Sequence, residues 1–297
     1  MKPGVKFSLI ALVAAGMTGC ISGAGEAPVQ VSAQSTAADI DQVPATFGAM
    51  PLALDQSDLN TNQGSDARGG FAVTSLGGQV YLPRLSLSNL RNRVTEAEKT
   101  LASNPGNLGA LKVLGYNALS AGANEQALTY MKIASERSGL DDEALNIVGV
   151  AHFFEGRDEA AMESFLQASR MNSRNALSNL NLGLLRQKRG NSLEALIYFK
   201  RAIAADPNSV LGYLHAASAA YTGKQYKVSA ELLRRAIDVA PHNALAYYNL
   251  GVVYHYGLRE YGKAKSNFRT VIDSEEVSTG LRNLARGMLA NVQREET

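Results

Sequence analysis

Residues 176–209 read ALSNLNLGLLRQKRGNSLEALIYFKRAIAADPNS, and the same arrangement returns on both sides of it at a spacing of 34. Gly183 anchors the stretch. Gly115, Gly149 and Gly251 keep the same register, and Ala217 takes the one step that has no glycine. An apolar residue precedes each: Leu114, Val148, Leu182, Ala216 and Leu250. Twelve positions later come Ala127, Ala161, Ala195 and Ser229, while in the last copy Ala264 arrives one residue late. Four further on stand Met131, Phe165, Phe199, Leu233 and Phe268, and three beyond those Ala134, Ala168, Ala202, Ala236 and Val271. Pro207 and Pro241 close the third and fourth copies, and Pro105 closes the segment before the first.

Each residue type has a physical reason. A glycine in the first helix of a pair lets the second approach, because a side chain there would hold it away. Small alanines on the second helix let it close. A large residue fills the gap between neighbouring copies. Proline ends the second helix, since it has no N–H for the ladder. The order Leu-Gly, Ala, aromatic, Ala, Pro at this spacing resembles the tetratricopeptide pattern. That predicts an all-α fold: a right-handed superhelical solenoid of five tetratricopeptide repeats over residues 108–141, 142–175, 176–209, 210–243 and 244–278. The fifth carries an insertion, expected in its inter-helix turn at Gly257–Gly262. Amphipathic stretches at Ser86–Ser103 (Leu87, Leu90, Val94, Ala97, Leu101) and Thr279–Arg294 (Leu281, Leu284, Met288, Leu289, Val292) read as capping helices. A solenoid needs such covers at its ends.

The resemblance also implies a binding face. In the family, first helices line a concave groove. Carried onto this chain, the groove positions include Tyr116, Asn146, Val150, Phe153, Asn181, Leu184, Tyr221, Tyr248, Asn249 and Val252. Aromatic anchors with amides between them suit a helix or an extended peptide laid in a groove. A Lys/Asn clamp for a terminal carboxylate is not evident, since Lys112 and Lys188 are the only lysines at these positions.

The ends of the chain read differently. Lys2 and Lys6 precede an apolar run, Phe7–Met17, too short to span a bilayer. Met17-Thr18-Gly19-Cys20 resembles the lipobox of bacterial lipoproteins, with Met17 where Leu is usual. Cys20 is the sole cysteine, so it can form neither an internal disulfide nor a cysteine-based metal site. The resemblance implies a signal peptide over residues 1–19, cleaved at Cys20, and a Cys20 that carries a diacylglycerol thioether plus an amide-linked chain; two or more chains anchor stably where one is marginal. Ile21, in place of Asp, favours the outer membrane by the sorting rule of enteric lipoproteins. Residues 20–85 are rich in Ala, Gly, Ser, Gln and Thr, with Pro28, Pro44, Pro51 and Pro83, and read as a mostly disordered tether before a repeat domain at 86–297. Within the tether, Gly69–Pro83 places β-formers between glycine pairs. It is either plain linker, a strand offered to a partner, or a segment lying on the repeats.

Charge and motifs exclude whole classes. The chain has 29 Lys and Arg against 27 Asp and Glu; with Lys2 and Lys6 set aside, 27 oppose 27. A neutral body has no footprint for nucleic acid. His152, His215, His242 and His255 show no metal-ligand spacing, and there is no HExxH, P-loop or G-x-S-x-G. The expectation is therefore no catalytic residue, no metal and no cofactor.

A lipoprotein signal, a tether and tandem repeats together resemble the tetratricopeptide lipoproteins of bacterial pilus machines: the TadD-like lipoproteins of the tight-adherence (Flp) system, with the type IV pilotins of the PilF/PilW kind as the close rival. That resemblance implies an outer-membrane scaffold on the periplasmic face. Its partner would be a secretin or another pilus-assembly component held in the groove, and the lipid would hold the scaffold to the membrane. Alternatives are an envelope adaptor that recruits cell-wall hydrolases or proteases, and a component of polysaccharide export or outer-membrane protein assembly.

Overall fold

The computed structural model describes residues 70–75, 78–83, 87–275 and 277–296. Residues 1–69, with the leader, Cys20 and most of the expected tether, lie outside the described residues. Two strands come first, β1 (Gly70–Ser75) and β2 (Gly78–Pro83). Twelve helices follow: α1 (Leu87–Ser103), α2 (Leu108–Ser120), α3 (Asn124–Arg137), α4 (Asp142–Phe154), α5 (Asp158–Met171), α6 (Ala176–Lys188), α7 (Ser192–Ala205), α8 (Val210–Thr222), α9 (Tyr226–Val239), α10 (Ala244–Val252), α11 (Tyr261–Asp273) and α12 (Thr279–Glu296). Five antiparallel pairs, α2/α3 to α10/α11, are the five repeats, and each pair packs on the next.

What closes each pair is a notch filled by a ring. An ideal Cβ on Gly183 would lie 2.4 Å from the Phe199 ring, one on Gly149 2.5 Å from Phe165, and one on Gly251 2.6 Å from Phe268. All three rings are fully buried, each contributing about 2 kcal/mol of apolar transfer. The large residue thus sits first on the glycine of its own repeat rather than only between repeats. Phe199 does both, because its outer face stacks on His215 of the next repeat at 5.5 Å. The two departures from the pattern compensate each other. Where the glycine is Ala217, the second helix brings the smaller Leu233. Where the ring is replaced by Met131, the Cβ clearance at Gly115 is a looser 3.1 Å, and Ile147 of the next repeat closes in at 3.3 Å.

The helix ends repeat as regularly as the core. Asn107, Asp141, Asn175, Ser209 and Asn243 cap the first helices, each accepting the backbone N–H three residues on at 2.8–3.2 Å. Capping satisfies donors that a helix start leaves orphaned. Each first helix ends in a left-handed residue, at Gly122, Gly156, Gly190, Lys224 and Arg259. In the first four repeats the next N–H reaches back five residues, as from Asn191 to Arg186 at 2.9 Å, which closes the turn.

The fifth repeat differs from expectation. Its extra residue is absorbed before the inter-helix turn, in a π-helical turn at Val253–Gly257. Leu258 N–H bonds to Val253 C=O at 3.0 Å, and the closing bond runs six residues, from Glu260 to Tyr254. Widening one helical turn keeps both the left-handed closure and the Phe268 notch in register. The caps are in place at both ends. Ala97 of α1 packs with Ala110 and Leu114. Leu281, Ala285 and Val292 of α12 join the last core cluster, whereas Leu284 faces solvent and Ala285 takes its place on the buried face.

Residues 70–83, assigned above to the tether, form an antiparallel hairpin with Val73 opposite Val80. β2 runs against α6 and α4. The β-forming residues between the glycine pairs have found a surface on which to lie, and that surface is made of residues far along the chain.

Two measurements follow from this packing. Gly183→Ala forces its methyl into the Phe199 ring and lowers unfolding free energy by about 1–3 kcal/mol in urea titration. Adding Phe199→Leu, which copies the Ala217/Leu233 solution, recovers part of that loss; a strictly additive double variant refutes the notch. His215 is buried, and desolvation lowers its pKa to about 4 from an ordinary 6.5. The unfolded chain then binds the extra proton, so this stability is complete above pH 6.5 and is lost as pH falls toward 4. Between pH 7.5 and 5 the loss is about 2 kcal/mol, and His215→Phe flattens that part of the profile.

Candidate functional site

Neighbouring first helices meet, α2 with α4 and α6 with α8, whereas no two second helices come as close among the described residues. The stack therefore bends with its first helices on the inner side, and these carry every expected groove residue. Tyr116 lies on α2, Asn146, Val150 and Phe153 on α4, Asn181 and Leu184 on α6, Tyr221 on α8, and Tyr248, Asn249 and Val252 on α10.

All of them except Leu184, which is half-buried, are buried in this structure. Several are knitted into the packing between helices. Phe153 meets Phe154 edge-on at 5.9 Å, and the Lys188 ammonium stands 5.3 Å over its ring. Tyr221 meets Tyr226 at 5.4 Å, and Tyr248 tilts against the notch ring Phe268 at 5.8 Å. Burial raises the phenol pKa of Tyr221 and of Tyr248 to about 12, with the neighbouring Tyr256 adding to both. The Tyr116 phenol is raised further, by burial first and then by the acidic group Glu143, Asp141 and Asp142. These hydroxyls stay neutral on largely apolar rings.

The amides form a more specific feature. Asn181 Nδ2 donates to Asn146 Oδ1 at 3.1 Å, joining repeats two and three. Ser178, absent from the expected groove set, donates its hydroxyl to the same oxygen at 3.4 Å. All three are buried. One step further along, Gln187 Nε2 donates to Ser218 Oγ at 3.1 Å. Among the expected groove residues, Asn146 Nδ2, both polar atoms of the Asn249 side chain and the Tyr116 hydroxyl have no hydrogen-bond partner among the described residues. A buried amide left in this state costs about 1–3 kcal/mol, so each is a place where an added polar group would be stabilising.

The two groove lysines are committed elsewhere. Lys112 Nζ bonds both Asp141 and Glu143 at 2.6 Å, and Lys188 Nζ bonds Asp158 at 2.6 Å. With Arg189 to Glu159 at 2.7 Å, they tie repeat one to repeat two and repeat two to repeat three. Among the described residues no group of His, Cys, Asp and Glu has the arrangement to hold a metal ion. No described helix is long and apolar enough to cross a membrane.

Sequence reading passed over the five helix caps, although Asn107, Asp141, Asn175, Ser209 and Asn243 keep the period of the repeat and could have been found by it. Ser178 carried no such signal, because it matters only through its contact with Asn146.

Comparison with known proteins agrees with this geometry. The family model described as tetratricopeptide repeat matches residues 112–170, 159–210 and 213–264, together half of the chain. No curated protein matches significantly. Among solved structures, YrrB, described as a TPR protein with an unusual peptide-binding site, shares 20% identity over 65% of this chain and 98% of its own, with a TM-score of 0.54. The C-terminal part of a TPR repeat-containing protein from Cytophaga hutchinsonii shares 11% identity over 70% of this chain and 93% of its own, with a TM-score of 0.54. MamA (41-end) from Desulfovibrio magneticus RS-1 shares 19% identity over 62% of this chain and 96% of its own, with a TM-score of 0.50. At these identities the likeness concerns the fold alone. Five helix pairs of a common period, four of them closed on a glycine and the other on Ala217, and matched along half the chain, place this protein in the tetratricopeptide repeat family.

Proposed function

We propose that the protein is a lipid-anchored outer-membrane scaffold that takes an extended segment of another protein onto the inner face of its repeats, and that it assists assembly of a secretin or pilus of the Tad/Flp or type IV kind. The observation that carries the reading is an extended strand, β2, already lying against α4 and α6, the helices that bear Asn146, Ser178 and Asn181. An extended backbone offers N–H and C=O groups at regular intervals, and an Asn amide can both donate to and accept from it. Alternating side chains of such a segment would meet apolar surface between the amides. YrrB, whose description names a peptide-binding site, is an example of this use within the same fold.

The cellular part of the reading rests on the N-terminal sequence. In this reading, a leader over residues 1–19 is removed to expose Cys20, acyl chains on Cys20 hold the protein to the membrane, and Ile21 favours the outer one. A secretin subunit is a partner that needs such a guide, because it must reach that membrane before its ring closes.

Cys20→Ser moves the protein from the membrane fraction to the soluble periplasm, which cell fractionation checks. Deleting the gene depletes secretin multimers from outer-membrane fractions. Normal multimers and normal pili in the deletion strain would remove the pilus role and leave the envelope-adaptor reading in its place.

A further inference from the structure

The hairpin poses a question that capture by the inner face does not answer. A groove meant for another protein's segment holds, in this structure, a segment of its own chain: β2 lies against α6 and α4. Only three residues separate the end of β2 from the start of α1, so the hairpin is tethered beside the surface it covers. Short tethers give effective concentrations in the millimolar range. A free partner segment at micromolar concentration therefore meets a competitor that is far more concentrated.

Other features of the hairpin fit a displaceable occupant better than a sixth structural element. It contains two strands only, and a lone hairpin is marginally stable without a surface to lie on. It adds nothing to the notch packing, since each of the three rings is met by a glycine of its own repeat. In the helices it contacts, the buried polar groups are not fully satisfied: Asn146 Nδ2 keeps no partner among the described residues. A segment that paired this amide would hold the groove more tightly than one that leaves it unmet. Glycine pairs flank β1 at Gly69-Gly70 and β2 at Gly77-Gly78, and they bring little cost to a rearrangement of the backbone.

We propose that the β1–β2 hairpin is an autoinhibitory strap: a built-in pseudo-ligand that occupies the inner groove at repeats two and three and must be displaced before an extended partner segment can bind there. The inference rests on the reading of the groove as a capture site. Its consequence is selectivity. A weak or accidental segment fails against the tethered hairpin, and only one that makes additional contacts displaces it. The strap also covers groove surface between captures.

The test uses a fluorescent synthetic peptide of residues 69–84 as the probe, with the full chain and a full chain lacking residues 69–84. The expected result is saturable binding to the deleted chain, with apparent affinity for the intact chain lower by about ten-fold or more, as follows when the groove is open only a tenth of the time or less. Equal affinity for both chains, or binding to neither while both keep their helical circular dichroism, overturns the proposal. If the deleted chain does not fold, Val80→Pro in the full-length chain replaces it. Proline at a central position of β2 has no N–H for the ladder, so this variant binds the peptide more tightly than the wild type. Affinity equal to wild type again overturns the strap. No secretin is present in this assay, so its outcome is independent of the deletion strain: normal secretin multimers would remove the pilus role and leave the strap standing.

Discussion

A methyl group on Gly183 and the ring of Phe199 cannot occupy the same place: the Cβ would lie 2.4 Å from the ring. This exclusion sets the distance between the two helices of a repeat, and the stack is built on it. With the notch filled, the alanines of the second helix reach the first, and Ala195 and Ala202 are buried beside Phe199. With the pair closed, its outer edge presents a surface to the next pair, and Phe199 is itself part of that edge through His215. The compensation at Ala217 and Leu233 shows that the constrained quantity is the sum of two side chains across the notch, not the identity of either. Protein interiors are packed densely enough that one methyl group matters at such a place.

Between repeats the joints are of another kind. Lys112 reaches Asp141 and Glu143, Lys188 reaches Asp158, and Asn175 of one cap donates to Asp142 of the preceding repeat at 2.7 Å. Partly exposed ion pairs of this kind add modest stability. Inside the bend, the amide contact between Asn146 and Asn181 joins the same two repeats. Polar joints on both sides of an apolar seam leave the inner face with hydrogen-bonding groups within it. A face of this kind can hold a polypeptide backbone, which a purely apolar one could not.

The tetratricopeptide fold is typically a protein-interaction scaffold, and such a surface works through its shape and hydrogen-bond pattern. Tyr116, Tyr221 and Tyr248 have phenols raised by burial, and His215 has an imidazole lowered by it. Each shift favours the neutral form, as in an interior that stabilises no charge. The inner face thus offers neutral rings and amides. A hairpin of the chain's own residues already makes use of it.

What the sequence by itself determined was the repeat. Gly115, Gly149, Gly183 and Gly251 each lie within a single copy of the period from the alanines and large residues they meet, and contacts so local are written as spacings. The helix caps are of the same kind, and Asn175 or Asn243 could have been read from the period. Only the tertiary structure decided the rest. The extra residue of the fifth repeat was visible as a late Ala264, but its place, in a π turn at Val253–Gly257 rather than in the loop, depended on keeping Phe268 over Gly251. Leu284 is exposed and Ala285 buried because the face of α12 that meets α11 is decided by that packing. Phe153 and Tyr248 stood at groove positions, but their burial came from Phe154, Lys188 and Phe268. The hairpin lay furthest from reach. Its β-forming residues were plain at 70–83, but the surface that receives them is built by α4 and α6, which begin only at Asp142 and Ala176, and no spacing in the chain encodes that contact.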